Sequence, residues 1–167
     1  MATNPLLELA KQGQAVWLDY IRRSLITSGE LKRLVDDDGL RGVTSNPAIF
    51  EKAITGSTDY SESLAEFQKQ DLDAMSVYER LALPDIQAAA DVLRGVYEKT
   101  QGRDGYVSLE VSPYLAHETQ KTIDEARRLW KLAGRENVMI KVPGTVEGIP
   151  AIEQLLTEGI NINITLL

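Results

Sequence analysis

Cysteine is absent from the 167-residue chain, which excludes disulfides, thiolate metal sites and cysteine nucleophiles. A single histidine, His117, rules out histidine-rich metal centres and any Ser-His catalytic pair that does not use it. Long apolar runs are missing as well, since none approaches the roughly 18 residues that a membrane span needs. No charged-then-apolar leader opens the sequence, so a cytoplasmic protein with no membrane association is expected. There is no block of basic residues either. Lys and Arg total 18 against 25 Asp and Glu, a net charge of -7 with both signs interspersed, which argues against a nucleic-acid partner. Neither a GxGxxG nor a GxxxxGK[ST] phosphate turn occurs, and neither repeats nor low-complexity tracts are visible.

What is present suits a single folding unit that handles small molecules. Five short apolar runs read as strands: Ala15–Tyr20, Leu40–Pro47, Gly105–Val111, Asn137–Pro143 and Ile162–Leu167. Helical spacing fills the gaps. "TNPLLELAKQG" has a capping Thr-Asn and an early proline, "SGELKRLVDDDG" and "VEGIPAIEQLLTEG" are helical, and "HETQKTIDEARRLWKLAG" is an amphipathic helix closed by Gly134. Between Pro47 and Gln101 four helices are expected, the last two separated at Pro84. Strands alternating with helices imply right-handed crossovers and a parallel sheet, as a doubly wound sheet or a barrel. Polar residues gather at the strands' C-terminal ends: Asp19, then Thr44, Ser45 and Asn46, then Glu110, Lys141, Asn163 and Thr165. Chemistry drawn from several strand ends favours the (β/α)8 barrel.

The sharpest feature is Lys141 inside "VMIKVPGT". An ammonium in an apolar strand is costly to desolvate, so burial favours the neutral amine. Either the lysine reaches water or pairs with a carboxylate on a neighbouring strand, or it serves as a nucleophile toward a ketone or aldehyde. Asp19 and Glu110 offer carboxyl groups for proton transfer. Thr165 offers a hydroxyl, and Asn46 and Asn163 offer amides suited to a polyol.

Three stretches carry a resemblance. "GVTSNPAIF" (Gly42–Phe50), "VMIKVPGTVEGIPAIEQL" (Val138–Leu155) and "GININITLL" (Gly159–Leu167) resemble, in order, three signatures of transaldolases. The similarity runs the length of the chain, and "VWLDYIRRSLITSGEL" resembles the longer bacterial branch, which includes fusions to phosphoglucose isomerase. The resemblance implies that Lys141 forms a Schiff base with a ketose phosphate in the pentose phosphate pathway. It implies that Asp19 is the acid/base at the cleaved bond and that Glu110 and Thr165 hold the water of imine formation and hydrolysis. Asn46 and Asn163 would bind hydroxyls of the retained three-carbon unit, with Thr44 and Ser45 beside them. No metal and no organic cofactor is implied. A lysine-dependent aldolase of the same fold is the related alternative.

A complete (β/α)8 barrel takes about 250 residues. The 167 residues are therefore expected to be the N-terminal portion of one such domain, a partial barrel of about five parallel strands, with the family's phosphate-binding residues beyond Leu167. Taken alone, that portion is expected to be inactive and to self-associate through its unpaired strand edges. Three lesser features have plainer readings. "VDDDG" (Val35–Gly39) is a solvated helix end, His117 a surface or capping residue, and Trp17 and Trp130 packing residues. Arg41, close to the second-strand signature, could meet a phosphate, but a partner among the surface acids is the favoured reading.

Overall fold

The computed structural model describes residues 4–166. Thr3, expected to help cap the first helix, and Leu167, the end of the last apolar run, lie outside the described residues.

Five parallel strands form one sheet in the order β1-β2-β3-β4-β5. They are β1 (Val16–Asp19), β2 (Leu40–Thr44), β3 (Tyr106–Glu110), β4 (Val138–Pro143) and β5 (Ile162–Thr165). Every strand neighbours the next in sequence, with no reversal. A doubly wound sheet reverses its strand order at a switch point, so this is a curled half of a (β/α)8 barrel, as expected.

Side chains alternate between the two faces, as strand geometry requires. Val43, Val107, Leu109, Ile140 and Val142 point outward and are almost wholly buried against the helical layer. Burying each such side chain contributes about 1.5–3 kcal/mol. The helices they meet are α3 (Glu30–Asp37), α6 (Ala74–Lys99), α7 (Thr119–Ala133) and α8 (Gly148–Thr157), through Leu31, Leu93, Ile123 and Leu155. The other face is concave and only partly covered. There Trp17 on β1 lies beside Gly42 on β2, where a Cβ would sit 2.4 Å from the indole. Only glycine lets the two strands keep that contact.

α1 (Pro5–Lys11) is capped by Asn4, whose side chain accepts from the Leu6 N–H at 3.0 Å. α4 (Pro47–Thr55) and α5 (Ser61–Phe67) follow β2 as read from the sequence. Besides a 3-10 turn at Pro113–Leu115 that was not expected, two helices differ. A short α2 (Arg23–Thr27) follows β1, where no helix was expected. And the two helices expected to break at Pro84 are one continuous α6 with Pro84 inside it. A proline removes one backbone hydrogen bond and crowds the preceding turn. Leu81, Ala82, Asp85, Ile86, Ala89 and Leu93 nevertheless keep one buried face across it, and that packing outweighs the local cost.

The aspartate run closes α3 as a helix end. Asp36 pairs with Lys32, and Asp38 pairs with Arg33 and accepts from Asn4. Trp130 packs against the main core. His117 is exposed and contacts Glu147 at 3.1 Å. Arg41 departs from expectation, since its guanidinium donates to the neighbouring Leu40 carbonyl at 3.2 Å and pairs with no acid among the described residues. No helix among the described residues is long and apolar enough to cross a membrane.

Candidate active site

Strand register assembles the site. Asp19 pairs with Thr44 across β1 and β2, Glu110 with Lys141 across β3 and β4, and Lys141 with Asn163 across β4 and β5. Residues in register on parallel strands project to the same face, so these side chains share the concave surface near the strands' C-terminal ends.

Lys141 does not reach out to solvent. Its side chain is 13% exposed, and Nζ lies 3.3 Å from Glu110 Oε2 and 3.5 Å from the Ser45 carbonyl oxygen. Pairing with a carboxylate on the adjacent strand is therefore what the structure shows. That contact also sets the chemistry within reach. A lysine can attack a carbonyl only after losing a proton, and Glu110 is an acceptor within one short transfer. Glu110 is itself only 9% exposed, so the pair is held away from bulk water.

Asp19 is exposed at the tip of β1 and accepts from the Thr44 hydroxyl at 2.6 Å. Thr44 thus orients Asp19, which leaves the second carboxylate oxygen free for a ligand. Asn46 is the N-cap of α4, where its Oδ1 accepts from the Ile49 N–H at 2.9 Å. The cap uses the carbonyl end of the side chain, and the amide nitrogen remains available to a hydroxyl. Asn163 donates through Nδ2 to Ser108 Oγ at 2.8 Å, and its carbonyl end is unengaged among the described residues. Thr165 closes β5 in register with Pro143, and its backbone carbonyl accepts from Gly144 N–H at 2.6 Å. No direct bond joins its hydroxyl to Glu110, and a bridging water would have to span β4.

Ser45 stands apart from the substrate-binding group in which the sequence placed it. It is completely buried, and its hydroxyl donates to the Ser108 carbonyl at 2.7 Å. Alternation explains this: Thr44 faces the concave surface, so Ser45 turns into the core. Its part is structural, together with the carbonyl it offers to Lys141.

Sequence reasoning missed Ser108 and Tyr78. Ser108 ties β2 and β5 to β3 through the two bonds just described. Tyr78 on α6 meets Phe50 edge-on, with ring centroids 5.8 Å apart. Its hydroxyl is buried with no hydrogen-bond partner among the described residues. It borders an apolar cavity of about 270 Å³ whose wall also includes Glu110, Glu79, Met75 and Tyr114. Burial, with the charges of Glu110 and Glu79, pushes the phenol up to about 12. In sequence it is one more aromatic at helical spacing. Replacing Tyr78 with Phe keeps the ring contact and removes the unpaired hydroxyl. Thermal unfolding of that variant should show unchanged stability or a gain of up to about 1 kcal/mol. A clear loss would mean that the hydroxyl has a partner.

A half-barrel with its polar groups at the strand C-termini has the architecture of a (β/α)-barrel protein, whose sites lie at that end. The chain belongs to the transaldolase/fructose-6-phosphate aldolase family, whose profile matches residues 16–167. It is 53% identical over 167 residues to transaldolase 2 of Nostoc sp., covering 100% of this chain and 44% of that protein. It is 49% identical to a transaldolase of Trichodesmium erythraeum, again over 100% of the chain and 44% of the relative. With a transaldolase of Thiobacillus denitrificans the identity is 48% over 96% of the chain and 45% of the relative. The chain thus spans less than half the length of the curated relatives it matches.

Proposed function

We propose that this chain carries the imine-forming centre of a transaldolase acting on ketose phosphates. The observation that supports it most is the shielded Lys141–Glu110 pair at 3.3 Å, in register with Asn163 on the concave face. Lys141 gives its proton to Glu110, and the neutral amine adds to the C2 carbonyl of the ketose. Glu110 returns the proton to the carbinolamine oxygen, which leaves as water and gives the iminium ion. Asp19 takes the proton from the C4 hydroxyl. The C3–C4 bonding electrons flow into the iminium, leaving an enamine on Lys141 and releasing an aldehyde. Attack of that enamine on the aldehyde of an aldose phosphate, with proton return from Asp19, transfers the three-carbon unit. Asn46 and Asn163 hold its hydroxyls, and Thr165 with Glu110 places the water that later hydrolyses the imine. No step calls for a metal or an organic cofactor.

The family name covers a second outcome, in which the enamine is protonated and hydrolysed and dihydroxyacetone is released. Product analysis with and without an aldose phosphate acceptor separates the two. For the shared first step, the complete protein that contains this chain is incubated with fructose 6-phosphate and borohydride, and the reduced adduct is mapped by mass. The adduct is expected on Lys141 alone. An adduct on another lysine, or none from a protein that turns over, overturns the assignment.

A further inference from the structure

Seven of the ten arginines are held by acids among the described residues. Arg22, Arg23, Arg33, Arg94, Arg127, Arg128 and Arg135 all pair with carboxylates. Arg80 bonds Gln70 at 2.8 Å and lies over the Phe67 ring. Two arginines have no such partner among the described residues. Arg41 donates only to the Leu40 carbonyl, and the Arg103 guanidinium has no hydrogen bond or ion pair. Acids are not scarce, with 25 against 18 basic residues. Three guanidiniums lack a carboxylate among the described residues, those of Arg41, Arg80 and Arg103, and of these Arg41 and Arg103 have no side-chain partner either, which leaves both open to an anion from outside.

The two border one cavity of about 410 Å³, together with Gln14 and Asp104. It lies where the strands begin, since Gln14 precedes β1, Arg41 is the second residue of β2 and Arg103 precedes β3. That is the end of the sheet opposite Asp19, Glu110 and Thr165. A second cavity of about 300 Å³ also borders Arg41, with Lys32, Lys99 and Asp36 in its wall. The loop that carries Arg103 is firmly built. Thr100 Oγ1 accepts from the Asp104 N–H at 3.0 Å, and Tyr106 OH donates to the Gly102 carbonyl at 2.6 Å. The Gly105 N–H donates to the Arg41 carbonyl at 2.7 Å, which ties the loop to β2 beside the first guanidinium. Gln101 has a φ of 54°, a left-handed conformation that non-glycine residues rarely keep without enforcement. Two donors held on a braced frame lose little freedom on binding.

We propose that this cavity binds a hydroxylated phosphate ester. Guanidinium forks match the oxygens of a phosphoryl group, which Arg41 and Arg103 grip together. Asp104 is the one carboxylate in the wall. It opposes a bare polyanion but accepts from an organic hydroxyl, and the Gln14 amide offers a second such contact. The site is independent of Lys141 and of the reaction proposed there.

The test titrates ¹⁵N-labelled protein with glucitol 6-phosphate, which has no carbonyl and cannot form an imine. Saturable amide shifts are expected at Gly13, Gly102 and Gly105, with none from glucitol. Arg103→Gln, on an exposed loop where folding is not at risk, should weaken the binding read at those amides by about tenfold or more. Arg41→Gln should act in the same direction, and Lys141→Ala should leave it unchanged. Absence of shifts at these amides, shifts confined to the Lys141 end, or equal saturation in Arg103→Gln overturns the proposal.

Discussion

Asp19→Ala should keep the imine and lose the cleavage, whereas Glu110→Ala should slow the imine itself. The division follows from where the two carboxylates sit. Glu110 lies 3.3 Å from Lys141 Nζ, within reach of every proton that moves on or off that nitrogen and the adjoining carbinolamine. Asp19 stands on β1, exposed and steered by the Thr44 hydroxyl at 2.6 Å, across the concave face from β4. In the proposed mechanism it serves a proton further along the sugar and not one at the imine. Each substitution should lower its own step on the order of 10²–10⁴-fold, the range of positioned acid–base groups. Borohydride trapping reads the first step and release of glyceraldehyde 3-phosphate reads the second. Asp19→Ala should therefore accumulate a trappable adduct without aldehyde release, and Glu110→Ala should trap slowly. Equal losses at both steps in both variants would show that the roles are wrongly divided. Asp19→Asn sharpens the comparison, because it keeps an acceptor for Thr44 while removing the base.

Much of this arrangement was legible in the sequence, for a physical reason. Buried parallel strands are short, apolar and bounded by polar residues, so each of the five could be bracketed within a few residues of its observed ends. Their last residues mark the candidate functional end of the sheet, and the register does bring Asp19, Thr44, Glu110 and Thr165 to that end. What was not legible depends on partners distant in sequence. Local rules break a helix at Pro84, and only the core face running through Leu81, Ile86 and Leu93 keeps α6 whole. Ser45 reads as one polar residue among three, and only strand alternation turns it inward to the Ser108 carbonyl. The abundance of acids favours one beside Arg41, and Asp36 and Asp104 do border the cavities it lines, yet neither closes an ion pair with it. The α2 helix is five residues long, too short to show a period, and is held by side chains far along the chain.

Those side chains carry the largest expected effect on stability. Asp85, on α6 just beyond Pro84, is 4% exposed. Arg23 Nε donates to its Oδ1 at 3.0 Å, and Tyr60 OH donates to its Oδ2 at 2.8 Å. Tyr60 is fully buried, its hydroxyl accepts from the Arg23 N–H at 3.1 Å, and the guanidinium lies 4.5 Å from the ring centroid. Asp59 completes the clamp, accepting from Arg22 at 2.8 Å and from the Ser24 N–H at 2.9 Å. Together these contacts pin α2, and with it the chain leaving Asp19, onto α5 and α6. Burial holds the Asp85 carboxyl above the usual carboxylate range, even though Arg23 and Tyr60 pull it down. A raised folded value means that the folded chain binds this proton more tightly than the unfolded one. The stability added by that bound proton is thus full below the unfolded value and is lost as pH rises through the folded one, above which the carboxylate is held by its bonds to Arg23 and Tyr60. Asp85→Ala strands a guanidinium and a buried phenol at once, so it should cost about 3 kcal/mol or somewhat more. For a chain of this size that lowers Tm by roughly 6–12 °C. Asp85→Asn keeps an acceptor and sheds the buried charge, so it should cost less than half as much. A Tm for Asp85→Ala within about 2 °C of the parent would show that the clamp does not hold α2 in place.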